Sequence, residues 1–189
     1  MSRPREPLPA KLVIGVLFRD FGLQRSVLEV LCERFGPLDF LSAPEPFTHT
    51  AYYEREMGPG IHRCTASFLR LVASTSLPDV KLFTNDLEAR YSSEGRRQVN
   101  LDPGILSVER LVLASGKNFI HRVYLRDGIY ADLTLIYQGD GYQVLPWTFP
   151  DHRSERLRAY FGALRKKLVF QRDGTLPRKG LRPHEGGSP

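Results

Sequence analysis

Cysteine is scarce in this sequence: Cys32 and Cys64 are the two in 189 residues. Two thiols build no disulfide framework, and these form no CxxC metal or redox motif. Cys32 falls in helical register with Leu28, Leu31 and Phe35, which predicts a core thiol. No apolar run approaches the ~18 residues that a membrane span requires. The opening "MSRPREPLPA" has no apolar core of the kind a secretory signal carries. The expectation is a soluble, cytoplasmic protein without a membrane partner. There is no GxGxxG, HExxH or GxSxG and no kinase loop, and nothing indicates haem or flavin. "ASGKNF" ends like a phosphate-binding loop, but Leu111 stands where the first glycine of GxxxxGK[ST] belongs, and Asn118 where Ser or Thr is required. A P-loop nucleotide site is therefore not indicated.

What is there is ordinary globular chain: 41% hydrophobic and 25% charged residues. The length suits one domain that buries a core without disulfide or metal staples. The net charge of +6 lies partly in the ends. So mild an excess fits a solvated surface as well as an anionic partner. Residues 1–10 and the Pro-, Gly- and charge-rich residues 171–189 are expected to be disordered, the latter as a basic tail, around one domain at 11–170.

"KLVIGVLF" is a continuous apolar run and predicts a buried strand. Val27, Leu28, Leu31, Cys32 and Phe35 then repeat at helical spacing up to Gly36, a natural stop. "LDFLSA" predicts a second strand and "TAYYEREMG" a third. Helices are expected over residues 62–73 and along "LPDVKLFTNDLEARYS", where Val80, Phe83, Leu87 and Tyr91 are in register. After a brief strand at residues 99–101, Asp102 reads as an N-cap and Pro103 as the first position of a helix closed by Gly116. "GYQVLPW" predicts a last strand, and "HRSERLRAYFGALRKKL" an amphipathic helix with Leu157, Tyr160, Phe161, Leu164 and Leu168 on one face. These elements predict an α+β fold: a mixed, largely antiparallel sheet with helices packed on it, opening with a β-α-β unit.

The stretch "NFIHRVYLRDGIYADLTLIY" predicts a hairpin around a type I′ turn at Asp127-Gly128. Arg126 then faces Ile129, and alternation puts His121 opposite Thr134 and diagonal to Asp132, with Arg122 on the other face among Ala131, Leu133 and Leu135. A carboxylate beside an imidazole fixes its tautomer and suits general acid/base work. An arginine on an apolar face calls for an anion, from the protein or from a ligand. His121 and Asp132 are thus the candidate catalytic pair. Arg122, Lys81, Lys117, Asn100 and Tyr130 are candidate contacts to a small anionic ligand such as a nucleotide or phosphorylated metabolite. Glu54 and Glu56, on one face of the predicted third strand, are candidate ligands for a divalent metal. Bland readings stand beside these. Lys81, Asn85 and Glu88 make one helix face that suits solvent, the two glutamates suit an edge strand, and Lys117 suits a helix C-terminus. A second class also stands: a nucleic-acid- or protein-binding accessory module using the basic balance with Tyr52, Tyr53, Tyr130 and Trp147. Nothing in the pattern speaks to oligomeric state.

Seven ordered blocks, "KLVIGVLF", "AYYEREMG", "KLFTNDLE", "VNLDPGIL", "LVLASGK", "HRVYLRDGIYADLTLIY" and "LPWTFPDH", resemble the bacterial family called domain of unknown function 4416, over residues 11–168 or so. The resemblance implies no established activity. Some members carry the label GTP-binding protein, to which the failed P-loop lends nothing. The chain departs from the family pattern with Asp132 where Glu is usual, His152 where Tyr is common, and Ser115-Gly116 where a Thr pair is common. The first departure keeps the acid beside His121.

Overall fold

The run "AKLVIGVLF" folds as β1 (Ala10–Phe18), buried at every residue. A computed structural model describes residues 3–175. In chain order β1 is followed by α1 (Phe21–Phe35), β2 (Leu38–Leu41), β3 (Glu45–Pro46), α2 (Glu54–Met57), β4 (His62–Val72), α3 (Leu77–Arg90), β5 (Val99–Leu106), β6 (Arg110–Ser115), β7 (Arg122–Arg126), β8 (Ile129–Gln138), β9 (Gly141–Val144) and α4 (Glu155–Asp173). The sheet order is β2-β4-β1-β5-β6-β8-β7, with β3 beside β4 and β9 beside β8. Every recorded pairing between these strands is antiparallel. β1 and β2 both oppose β4, so the opening β1-α1-β2 unit has two parallel strands with β4 inserted between them. The class is α+β, as the pattern predicts.

β1 is apolar at every position but Lys11 because both its faces are covered. Ala10, Leu12, Ile14, Val16 and Phe18 pack with Val27, Leu28, Leu31 and Phe35 of α1 and Leu77, Val80 and Leu87 of α3. On the opposite face Val13 joins Leu106, Leu111, Leu113 and Leu135 under Leu157, Phe161, Leu164 and Leu168 of α4. Leu17 belongs to a smaller cluster with Phe47, Met57 and Ile61. Cys32, expected in the core, is half-buried, and Cys64 is fully buried. α4 runs three residues into the stretch read as tail, and Arg172 donates to the carbonyls of Leu8 and Pro9. Residues 176–189, the rest of that stretch, lie outside the described part.

Three elements differ from expectation. Residues 62–72 form β4, not a helix. Cys64, Ala66 and Phe68 face the core while Thr65 and Ser67 lie between them, a period of two that the apolar triad Phe68, Leu69 and Val72 masks. The expected helix after Asp102 is the hairpin of β5 and β6. Ser107 makes its turn, accepting at Oγ from the N–H groups of Glu109 and Arg110. Ile105, Val108, Leu111 and Val112 satisfy either period, and their branched side chains suit a strand. The expected third strand, residues 50–58, is instead a turn leading into α2.

β5 and β6 pair only between Gly104–Leu106 and Leu111–Leu113. Gly104 allows that close approach, since a Cβ there would lie 2.6 Å from Leu113 and 3.0 Å from the Val112 carbonyl. Toward the other end of β5 the strands part. In place of a neighbouring strand, α3 serves the Leu101 peptide: its N–H donates to Glu88 Oε1 at 2.6 Å, and its carbonyl accepts from Lys81 Nζ at 2.8 Å. By the two-residue period Pro103 turns its missing N–H to the same gap, which is why a proline is tolerated so deep in the sheet.

Lys11 is the one charged residue of β1, and it is fully buried. Its ammonium donates to Asp39 Oδ2 at 2.6 Å, the Phe68 carbonyl at 2.9 Å and Gln171 Oε1 at 2.8 Å. Three donors meet three acceptors, from β2, β4 and α4. Burial pushes the Asp39 carboxyl up, but hydrogen bonds from Lys11, Lys167 and Ser67 hold it below the usual carboxylate value. A depressed folded value stabilises the fold above the unfolded value near pH 4 and withdraws that support as pH falls. Asp39→Asn should cost about 3–5 kcal/mol at pH 7. Its urea midpoint should also fall less steeply than wild type below about pH 4; equal acid slopes would show that Asp39 does not couple folding to pH.

Candidate functional site

The parting of β5 from β6 opens a cavity of about 550 Å³, within the ~300–1,000 Å³ of small-molecule sites. Asn100 and Asp102 of β5 line it together with Lys81 and Glu88 of α3. On the β6 side stand Ser115, Lys117, Arg122 and Asp132. Arg63 of β4 faces in with Asp151 and His152, and the loop before α2 adds Phe47, Tyr52 and Tyr53.

Each of the three arginines is held by a protein carboxylate. Arg97 grips Glu56 with two hydrogen bonds, Nε to Oε1 at 2.9 Å and Nη2 to Oε2 at 2.6 Å, and its Nη1 donates to Asn100 Oδ1 at 2.8 Å. The Glu56 hydrogen bonds raise the guanidinium further above its ordinary value. Asn100 passes the link on, donating from Nδ2 to Asp102 Oδ2 at 2.7 Å. Asp102 is therefore no helix cap; it ends a chain of contacts from Glu56 through Arg97 and Asn100. Arg63 Nη1 lies 2.7 Å from Asp151 Oδ2. His152 Nδ1 lies 3.1 Å from Asp151 Oδ1, and its Nε2 is 3.4 Å from Arg63 Nη2. Both ring nitrogens of His152 thus have a polar partner, Asp151 at Nδ1 and Arg63 at Nε2. Burial pushes the Asp151 carboxyl up, but His152 and Arg63 outweigh it and hold it well below the usual range.

Asp132 is the partner of Arg122, and of His121 as well. The turn at Asp127-Gly128 forms as predicted, with φ of +52° and +74° and Arg126 opposite Ile129. A bulge at Leu125 then shifts the register by one, so Arg122 stands opposite Asp132. The expected pairing of His121 with Thr134 and the opposed faces of His121 and Arg122 are not realised. His121 precedes the strand, in a turn that Arg122 N–H closes on the Phe119 carbonyl at 3.0 Å. Arg122 Nε donates to Asp132 Oδ2 at 2.8 Å, and His121 Nε2 lies 3.1 Å from the same oxygen. Thr134 donates to Oδ1 at 3.1 Å. The indole of Trp147 stacks on His121 at 5.0 Å, and Arg122 Nη1 reaches back to the Lys117 carbonyl at 2.9 Å. The anion that Arg122 required is internal.

The lysines differ. Lys81 and Glu88, read as a solvated face, are buried on either side of the Leu101 peptide. Burial raises the Glu88 carboxyl above its ordinary value. Lys117 follows a strand rather than a helix, is exposed at the cavity, and donates to Tyr52 Oη at 2.9 Å. Neither lysine has a carboxylate in ion-pair contact among the described residues.

Of the residues singled out in the sequence, Arg122, Asp132, Lys81, Lys117 and Asn100 line this one cavity. His121 sits behind Asp132, and Tyr130 is half-buried edge-to-face with Tyr124, neither of them lining it. Glu54 and Glu56 share a short helix instead of a strand face, and Glu56 is taken by Arg97. Among the described residues no group of three or more His, Cys, Asp or Glu side chains is placed to hold a metal ion. Sequence reasoning missed Arg63, Arg97 and Asp151. Arg63 was recoverable from the alternation of residues 62–68, whereas "SSEGRRQ" around Arg97 carries no periodic signal. Arg122→Ala should cost about 3 kcal/mol in urea unfolding, the lower end for a broken buried pair, because His121 and Thr134 still hold Asp132. A loss within ~0.5 kcal/mol, the size of a surface change, would show that the pair bears no structural load.

No curated protein and no solved structure matches the chain. The profile of the family described as domain of unknown function (DUF4416) matches residues 8–168, which carry β1 through most of α4 and every cavity residue named above. The chain belongs to the DUF4416 family.

Proposed function

We propose that the protein binds a small phosphorylated molecule, a nucleotide or a phosphorylated metabolite, in the cavity between β5, β6 and α3. The observation that carries this reading is the contrast between the arginines and the lysines. Arg63, Arg97 and Arg122 are answered by Asp151, Glu56 and Asp132. Lys81 is buried with a single acceptor among the described residues, the Leu101 carbonyl, so two of its three N–H donors remain for a ligand. Among the described residues Lys117 at the mouth is held by a neutral phenol alone. Phosphate oxygens are strong acceptors for ammonium groups, and an unpaired charge beside a low-dielectric wall gains most from such a partner. Phe47, Tyr52 and Phe149 add aromatic surface for a ring to lie against.

The accessory-module reading has less in its favour. Of its four aromatics, Tyr53 and Tyr130 are half-buried and Trp147 is stacked on His121 with its N–H on the Leu133 carbonyl. Open stacking platforms beside a basic groove are what that reading needs. No helix among the described residues is long and apolar enough to cross a membrane, and we place the binding activity in the cytoplasm.

A thermal-shift panel of nucleotides and phosphorylated metabolites tests the proposal. At a concentration of a hundred times Kd the stabilisation is about 2.7 kcal/mol, a rise of roughly 5–10 °C for a chain of this size. Unphosphorylated counterparts should give none. Lys117→Ala should keep its own stability to within ~0.5 kcal/mol, as an exposed side chain, and lose most of the shift. A panel in which no phosphorylated compound raises Tm defeats the reading.

A further inference from the structure

Asp102 is a carboxylate that phosphate binding leaves without a task. It lies on the cavity side of β5 with Asn100, two residues away on the same face. Its cross-strand neighbour on β1 is Gly15. With no side chain at that position nothing from β1 covers the carboxylate; a Cβ there would lie 3.7 Å from Asp102 Cβ and 3.4 Å from Arg63 Nη2. One oxygen, Oδ2, accepts from Asn100 Nδ2. Asn100 cannot turn over without losing Arg97, whose Nη1 donates to its Oδ1, so the amide presents its N–H to Asp102 and fixes the carboxylate's orientation. The other oxygen makes no hydrogen bond, and no cation is in ion-pair contact with Asp102, among the described residues. A half-buried, oriented carboxylate with open lone pairs faces the same space as Lys81.

We infer that the ligand carries hydroxyl groups beside its phosphate and that Asp102 receives them, so that the site takes a hydroxylated sugar phosphate, free or as part of a ribonucleotide. The inference rests on the phosphate-binding reading above. Neutral hydroxyls suit Asp102 better than the two other partners of a carboxylate. A cationic group would enter a cavity already lined by Lys81 and Lys117, which have no carboxylate in ion-pair contact among the described residues, and a metal ion would need companion ligands that the described residues do not provide. A hydrogen bond to a charged acceptor is among the stronger ones. A site built for a hydroxyl also discriminates against an analogue lacking it, because its own polar group is left unanswered.

The test compares matched pairs by calorimetric titration: ribose 5-phosphate with 2-deoxyribose 5-phosphate, adenosine monophosphate with its 2′-deoxy and 2′,3′-dideoxy forms, and glucose 6-phosphate with 2-deoxyglucose 6-phosphate. Inorganic phosphate serves as the common core. Wild type should bind the hydroxylated member of at least one pair about tenfold more tightly or better, a ratio that reflects one charge-assisted hydrogen bond. Asp102→Asn, which replaces the charged acceptor by a neutral amide at nearly constant shape, should shrink that preference, because a neutral amide bonds a hydroxyl more weakly than a carboxylate does, without weakening inorganic phosphate. The wild-type comparison needs no variant, so it decides the matter even where Asp102→Asn fails to fold. Equal binding of both members of every pair overturns the inference and leaves the phosphate reading standing. A preference that survives undiminished in a folded Asp102→Asn overturns the assignment to Asp102. Failure of every phosphorylated probe to bind overturns both.

Discussion

Where β5 parts from β6, the Leu101 peptide has no strand to bond to, and α3 supplies one donor and one acceptor in its place. Buried backbone groups must be satisfied, so the sheet can open at this point only because Lys81 and Glu88 stand two helical turns apart on the face of α3 that covers it. The same two side chains are brought into the interior as charged groups, which a wholly apolar helix face would never do. The backbone needs of one residue, Leu101, thus tie together the seating of α3, the gap in the sheet and the charge on the cavity's inner surface.

Around that gap the walls are tied by arginine–carboxylate pairs that join parts of the chain distant in sequence. Arg97 fastens the segment before β5 to α2 through Glu56, and Arg63 fastens β4 to the turn before α4 through Asp151. A planar guanidinium with five fixed donors suits such work, since it can grip a carboxylate with two bonds and still hold a third partner, as Arg97 does with Asn100. The cavity's two lysines, Lys81 and Lys117, are flexible point charges with three donors each, and among the described residues they are left with neutral oxygens. That division of labour separates the cations that shape the cavity from those that remain free to meet its contents.

The sequence was most informative where one reading of periodicity was possible. β1, α1, α3 and α4 stand out because their apolar patterns are long and unmixed. Residues 62–72 and 102–115 were misassigned because Phe68, Leu69 and Val72, or Ile105, Val108 and Val112, satisfy a helical period by coincidence; tertiary pairing decided for strands. Within the site, five of the residues chosen for their odd chemistry do share one cavity. What the sequence did not carry is the set of partners. Glu56 for Arg97 and Asp151 for Arg63 are long-range pairings with no local signature, and Lys11 could not be told from an ordinary strand boundary until Asp39 and Gln171 were placed around it.

The adjacency of His121 and Arg122 resolves in the same terms. On an unbroken strand, neighbours must face opposite ways, and a pair of polar residues would need two explanations. The bulge at Leu125 and the turn at residues 119–122 remove that constraint, because His121 lies before the strand and Arg122 begins it. Both then reach one oxygen of Asp132, while Thr134 holds the other. A carboxylate so fully engaged has little left to offer a substrate. It has much to offer the loop between β6 and β7, whose Lys117 carbonyl is bound by the same Arg122. The cluster that looks most like catalytic machinery in the sequence thus acts as a clamp in the fold, and what it holds in place is the segment that brings a lysine to the mouth of the cavity.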